Sequence, residues 1–366
     1  MIKNNPFILS ITWVVFTLFA SCIEQFSFNS DSEQDVLVVD GFVSNVSFND
    51  IADKRYFDIR LLTTGKVINS RDEPVINADI QISNDLSEYW DYTEVEPGLY
   101  RLYYDDFKAE SGRTYQLHIE LANGETYESD PGELPVDHIE SELIWEETTW
   151  PEYRIVAGEP KIREARGLLF KADMPEFESN SLVYNRWDFL TTYTFTALRA
   201  PEDDPNRVCW IHDQFFVNEV VINRESKGGT VHNLFYFNID TRLVKGGISI
   251  LARQQSMTEV NYQFWLDLKN QENQADLFAP PPYNLVSNLK PVGHDGDVLG
   301  YFGVVRESFN RWVFDPSELS YFGLKPGVST DPECRFPSPE CLNCWEGPFP
   351  PKSVVTNIQP VWWLGW

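Results

Sequence analysis

From about residue 36 onward the chain is dominated by two-residue alternation of apolar and polar positions, the pattern of half-buried antiparallel strands. Tyr115, Leu117, Ile119 and Leu121 fall on one side of a strand, with Gln116, His118 and Glu120 on the other. Asn123-Gly124 follows with the positive backbone angles of a tight hairpin turn, and Thr126 to Ser129 returns as the partner strand. Phe57, Ile59 and Leu61 alternate with Asp58 and Arg60, and Ala78, Ile80 and Ile82 alternate with Asp79 and Gln81. Turn chemistry at Asp72-Glu73-Pro74, Pro97-Gly98 and Ser111-Gly112 separates these runs. The pattern predicts about seven strands and no helix over residues 36–135, a β-sandwich of immunoglobulin-like or prealbumin-like type.

Glu133-Leu134-Pro135-Val136 reads as a junction, and residues 136–366 as a larger β-rich domain. Trp187, Phe189, Thr191, Tyr193 and Phe195 share one side of a long strand. Further strands are expected at Phe215–Ile222, Val231–Ile239, Ile248–Gln255, Val298–Val305 and Asn310–Phe314. One helix is expected among them. Ser256-Met257-Thr258-Glu259 has the form of a capping box, and Val260, Phe264 and Leu268 recur at four-residue spacing with Trp265 widening the stripe. Pro280-Pro281-Pro282 ends the region that follows. From about residue 330 periodicity gives way to a tail rich in Pro, Gly, Cys and Trp that needs staples. The fold class expected is therefore all-β with one inserted α-helix.

The amino terminus follows a different logic. Lys3 precedes an uncharged stretch from Pro6 to Ser21, which at about 16 residues is short for a bilayer span of about 20 and matches the core of an export signal. Leu18-Phe19-Ala20-Ser21-Cys22 places small residues just before a cysteine, as lipoprotein processing requires. Residues 1–21 thus read as a signal peptide, Cys22 as the lipid-attachment point and 22–35 as a tether. Several acyl chains, at about 0.8 kcal/mol per buried methylene, would hold the mature protein on the membrane. Ile23 after the cysteine carries no inner-membrane retention signal, which points to the outer membrane.

Composition narrows the partners. With 42% hydrophobic and 14% aromatic residues over 366 positions, the chain has ample material for a core. Its 56 acidic against 29 basic residues give a net charge of -27, a field that repels phosphate backbones and anionic headgroups and argues against nucleic acid. Glu202-Asp203-Asp204 and Asp295-Gly296-Asp297 lack the spacing of a calcium loop.

With Cys22 acylated, Cys209, Cys334, Cys341 and Cys344 remain, an even number in an oxidising compartment and so candidates for two disulfides. Their expected job is to fasten the tail to the strand near Cys209. A rival reading takes Cys209, His212, Cys341 and Cys344 as tetrahedral zinc ligands, and a third takes Cys341 and Cys344 as a redox pair. No Gly-x-Ser-x-Gly elbow, phosphate-binding glycine loop or His-Glu-x-x-His run occurs, so no catalytic residue and no cofactor is expected. His118, His138, His212, His232 and His294 read as surface groups, and carboxylates such as Glu140, Glu142, Glu146 and Glu147 are numerous enough for some pair to lie close in space by chance. The tryptophans Trp345, Trp362, Trp363 and Trp366 are candidates for a partner or ligand surface, since indole rings anchor protein interfaces and stack on sugars.

Several local patterns resemble a family of Bacteroidota envelope lipoproteins known as domain of unknown function 4249. They are Cys22, Val36-Leu37-Val38-Val39-Asp40-Gly41, Glu96-Pro97-Gly98-Leu99-Tyr100, Gly124 to Ser129, Cys209-Trp210, Val298-Leu299-Gly300-Tyr301-Phe302 and the tail Cys334 to Cys344. The resemblance implies an outer-membrane lipoprotein, often encoded near a TonB-dependent receptor, with no established activity and no catalytic residues to transfer. The expected function is a lipid-anchored binding or assembly protein accessory to a TonB-dependent transporter. A glycan- or peptide-binding uptake lipoprotein is the first alternative, and an envelope hydrolase the second.

Overall fold

A computed structural model describes residues 36–50, 54–64, 73–156, 158–177, 182–213, 220–238, 248–272, 285–313, 338–347, 349 and 353–363. The signal peptide, Cys22, the tether, Pro280-Pro281-Pro282, Cys334 and Trp366 lie outside these residues. The first part of the chain supplies β1 (Leu37–Ser44), β2 (Phe57–Thr63), β3 (Glu73–Pro74), β4 (Asp79–Asn84), β5 (Tyr89–Asp91), β6 (Thr93–Glu96), β7 (Leu99–Leu102), β8 (Thr114–Glu120), β9 (Thr126–Ser129) and β10 (Gly132–Glu133). The second supplies β11 (Glu142–Val156), β12 (Glu159–Met174), β13 (Val183–Thr196), β14 (Val208–Asp213), β15 (Val221–Glu225), β16 (Thr230–Asn238) and β17 (Ile248–Met257). After them come the helix α1 (Glu259–Glu272), β18 (Leu289–Val292), β19 (Val298–Val313), a short α2 (Pro339–Leu342) and β20 (Val354–Thr356). The class is all-β with one substantial helix, as the alternation predicts.

Among the described residues the strands form three sheets. An 11-stranded sheet runs β20-β14-β13-β17-β19-β1-β2-β7-β6, with β15 and β3 attached. A six-stranded sheet runs β18-β9-β8-β4-β5 with β10, and a three-stranded sheet runs β11-β12-β16. β19 joins the two halves of the large sheet. Its first half pairs in parallel with β1, from Leu37↔Val298 to Ser44↔Val305, and its second half pairs antiparallel with β17. The two separate strands expected at 298–305 and 310–314 are thus one, because Arg306 to Phe309 continue the ladder without a break.

Two cores result. One gathers Val39, Ile59, Ile80, Ile82, Tyr100, Leu117, Ile119 and Tyr127 with Leu289, Val298, Phe302 and Val304. The sandwich expected over 36–135 therefore also takes β18 and the front of β19 from beyond the junction at 136. The other core gathers Trp187, Phe189, Tyr193, Ile211, Ile250 and Ala252 from the large sheet with Leu168, Phe170 and Phe237 from the small one. α1 lies on the opposite face of β13 and β17, where Tyr184, Met257 and Val305 meet Tyr262.

Local chemistry explains several elements. Tyr115, Leu117 and Ile119 are buried as their alternation requires. The β8–β9 turn has a positive φ at Gly124 (86°) and not at Asn123, with the Leu121 carbonyl accepting from Gly124 N at 2.8 Å. It is a three-residue turn closed by glycine rather than the two-residue turn expected. In Glu96-Pro97-Gly98-Leu99-Tyr100, Gly98 sits at φ 73°, and a Cβ there would meet Leu61 O at 2.6 Å. Tyr100 beyond it is buried, its hydroxyl donating to Val75 O at 2.9 Å and accepting from Ala78 N at 3.0 Å. α1 departs from the expected register. Thr258, not Ser256, stands before its first residue and accepts from Asn261 N at 3.5 Å, and the buried positions are Asn261, Tyr262 and Phe264, leaving Val260 65% exposed. Ser256 is held in β17, where its hydroxyl donates to Asn185 Oδ1 at 2.8 Å.

Candidate functional site

The tail is built around Cys209 and Cys344, both fully buried and joined in a disulfide across 135 residues with a Cα separation of 5.5 Å. Cys341 is buried and disulfide-bonded as well. Backbone bonds from Arg199 N to Cys341 O (2.8 Å) and from Cys344 N to Asn206 O (2.9 Å) fix the segment to the loop after β13, and β20 adds to β14. The expectation that cysteines fasten the tail near Cys209 thus holds. The zinc set of Cys209, His212, Cys341 and Cys344 is not assembled, because two of its sulfurs are bonded to each other and His212 Nδ1 lies 2.8 Å from Thr192 Oγ1. Nor do Cys341 and Cys344 form a dithiol pair, since Cys344 bonds Cys209.

The tail tryptophans divide by environment. Trp345 is 45% exposed yet firmly held: its indole N–H donates to Asn206 Oδ1 at 3.0 Å and its backbone N–H to Asn343 Oδ1 at 3.1 Å, one residue after the disulfide. Trp362 lies under the Arg311 guanidinium, 3.5 Å from ring centre. Trp363 is buried, a packing residue rather than a surface group. A displayed indole on a stapled turn loses little conformational freedom when a partner covers it, which favours association.

A second arrangement was not visible in the sequence. Ser83 Oγ lies 2.8 Å from His118 Nε2, and His118 Nδ1 lies 3.1 Å from Glu128 Oε1. The three come from β4, β8 and β9, which are neighbours in the six-stranded sheet, and they share its outer face because His118 pairs with both Gln81 and Glu128. A hydroxyl, an imidazole and a carboxylate in this order can activate the hydroxyl as a nucleophile. Ser83 is nearly covered, and β4 is paired on both sides, to β5 and β8, so the arrangement presents a relay without a built oxyanion site. Only strand register brings Ser83 and Glu128 to His118, and no spacing signal records it.

Other candidates are structural. His138 Nδ1 lies 2.7 Å from Ser256 Oγ at the junction, and burial lowers its pKa. His232 contacts Glu225 at 3.0 Å. Glu146 pairs with Lys171 at 2.6 Å, and Asp204 accepts from Asn206 N at 2.8 Å. Beneath α1, the Arg186 guanidinium stacks 3.6 Å from the Trp265 ring centre beside a cavity of about 10 Å³, room for one water. Glu307, buried nearby, accepts from Arg55, from Ser44 Oγ at 2.5 Å and from Gln255 Nε2 at 3.1 Å. Among the described residues no group of His, Cys, Asp and Glu could hold a metal ion.

Comparison with curated proteins finds no match. The family described as domain of unknown function (DUF4249) matches residues 23–311, from the residue after Cys22 to near the end of β19, so the stapled tail lies beyond the matched span. Since that span covers well over half of the chain, the protein belongs to the DUF4249 family.

Proposed function

We propose that the protein is a lipid-anchored binding or assembly component of the Bacteroidota outer membrane, held there through Cys22 and accessory to a TonB-dependent transporter. The observation that carries this reading is Trp345, an exposed indole fixed by two hydrogen bonds beside a disulfide. Holding a half-exposed aromatic ring in one position lowers the ordering cost of an interface. Lipid attachment to Cys22, argued from the export segment, would keep this surface close to membrane partners. Affinity purification from cross-linked envelopes tests the proposal: a transporter barrel should be recovered with the wild-type chain and at least fivefold less with Trp345→Ala. Recovery of the wild-type chain alone would refute it.

A second reading, an envelope hydrolase, is favoured by the Ser83–His118–Glu128 relay. In it Ser83 Oγ would attack an ester carbonyl while His118 takes the hydroxyl proton and Glu128 orients the ring; the ester C–O bond then breaks, His118 returns the proton to the departing alcohol, and water hydrolyses the acyl-serine. A fluorophosphonate probe should then label Ser83, and Ser83→Ala should abolish labelling. An unlabelled wild-type protein rules this reading out.

A further inference from the structure

The hairpin of β11 and β12 reaches well beyond the sheet that supports it. β16 covers β12 only from Gly167 to Met174, and the pairs from Pro151↔Glu164 to Val156↔Glu159 carry no further strand among the described residues. Glu159 to Glu164 are all exposed although their side chains alternate between two faces, so this part stands free on both sides. Six residue pairs at about 3.3 Å each give an arm of about 20 Å. Its root is firm: Trp150 lies against Tyr236, with ring centroids 5.1 Å apart, and over Gly167, where a Cβ would meet the indole at 2.5 Å.

The register sorts the arm's residues by face. Tyr153 pairs with Ile162 and Ile155 with Pro160, which puts these four on one side. Lys161 and Arg163 lie on the other, with Glu152 opposite Arg163. Tyr153, Ile155 and Ile162 are 76%, 80% and 61% exposed, so the apolar side is bare. In the four outermost pairs, from Tyr153 to Ile162, two basic residues, Arg154 and Lys161, stand against one acidic residue, Glu159, and the next pair, Glu152 with Arg163, is balanced, so the end of the arm is net basic in a chain of net charge -27. The arm spans more than two Debye lengths at physiological salt, where one is about 8 Å, so its end escapes most of the body's acidic field.

We infer that the end of the β11–β12 arm docks on an anionic phospholipid surface, its apolar side at headgroup depth and its basic residues among the phosphates. A bare aliphatic and tyrosine face with adjoining cations suits that interface, where Tyr and basic side chains concentrate. Depth is limited, since an open ribbon carries unpaired backbone groups that hydrocarbon does not accept. A second copy of the chain is the poorer occupant, because two such ends carry like charge. The inference depends on neither the acyl anchor nor Trp345.

Vesicle flotation tests it with the mature chain carrying Cys22→Ser, so that no acyl group drives binding. Vesicles of phosphatidylglycerol and phosphatidylethanolamine should float at least tenfold more protein than vesicles of phosphatidylcholine, less so as salt rises. Tyr153→Ser/Ile155→Ser/Ile162→Ser should reduce flotation at least tenfold, and Lys161→Glu/Arg163→Glu should remove the preference for anionic lipid; all five side chains are exposed, so both variants should keep the wild-type circular dichroism. Cys22→Ser protein with an unaltered arm that stays at the bottom of both gradients overturns the inference. So does a triple serine variant that floats like wild type, or one whose effect is instead to convert a dimer into monomers in sedimentation velocity.

Discussion

Glu225 is a carboxylate that burial alone would push towards its neutral form. Hydrogen bonds from the Thr230 hydroxyl, Ser226 N–H, the His232 ring and Lys227 N–H outweigh that and hold its pKa at about 2, against 4.5 for a free glutamate. Because the folded value is the lower one, the stabilisation is fully present above about pH 5 and disappears as pH falls through 4.5 towards 2. The shift corresponds to at most about 3 kcal/mol. Urea unfolding of wild type and Glu225→Gln should therefore differ clearly at pH 6 and converge near pH 2. Equal differences at both pH values would show that the hydrogen bonds do not discriminate the ionised form. No sequence spacing announces Glu225, since its donors are divided between the turn that follows it, Ser226 and Lys227, and the start of β16, Thr230 and His232, and only the folded hairpin aims them at one carboxylate.

Two elements depend on single close approaches. Where β1 and β19 run in parallel, Gly300 faces Val39 at φ 101°, and a Cβ would sit 1.8 Å from the Val39 carbonyl oxygen. Gly300→Ala must push the strands apart as well as strain the backbone, a loss of roughly 3 kcal/mol or more, which thermal unfolding should report as a lower midpoint. The glycine within Val298-Leu299-Gly300-Tyr301-Phe302 thus has a physical reason. The tail depends on Cys209–Cys344, which closes 135 residues. Chain entropy assigns such a closure about 5 kcal/mol, and Cys209→Ser/Cys344→Ser should lower the urea midpoint accordingly and free Trp345 from its fixed position. Peptide mapping of the intact protein should recover Cys341 joined to Cys334; recovery of free Cys334 would exclude that second link.

At the scale of the whole molecule, what was legible in the sequence is what is local. Alternation located β8, β13, β16 and β17 because facing and burial repeat every two residues within one strand. It missed β11 and β12, where Pro151 and the exposed charges from Glu159 to Glu164 hide the period, although Gly158 at φ 84° marks their turn. Partners distant in sequence were not legible at all: neither the choice of Cys344 for Cys209, nor Ser83 beside His118, nor β19 beside β1. That last pairing has the largest consequence. Leu289, Val298, Phe302 and Val304 fill the core of the amino-terminal sandwich from more than 150 residues beyond its junction at 136. Burying four such side chains contributes roughly 6–12 kcal/mol, as much as the net stability of a typical domain. Residues 36–135 expressed alone should accordingly lack fixed tertiary structure, with weak near-ultraviolet circular dichroism and no cooperative urea transition. Joining residues 285–313 to that fragment by a flexible linker should restore both signals, because it returns β18 to β9 and β19 to β1. A cooperative transition in the short fragment would mean that the sandwich closes without its distant strands, and that β19 couples two finished domains rather than completing the first.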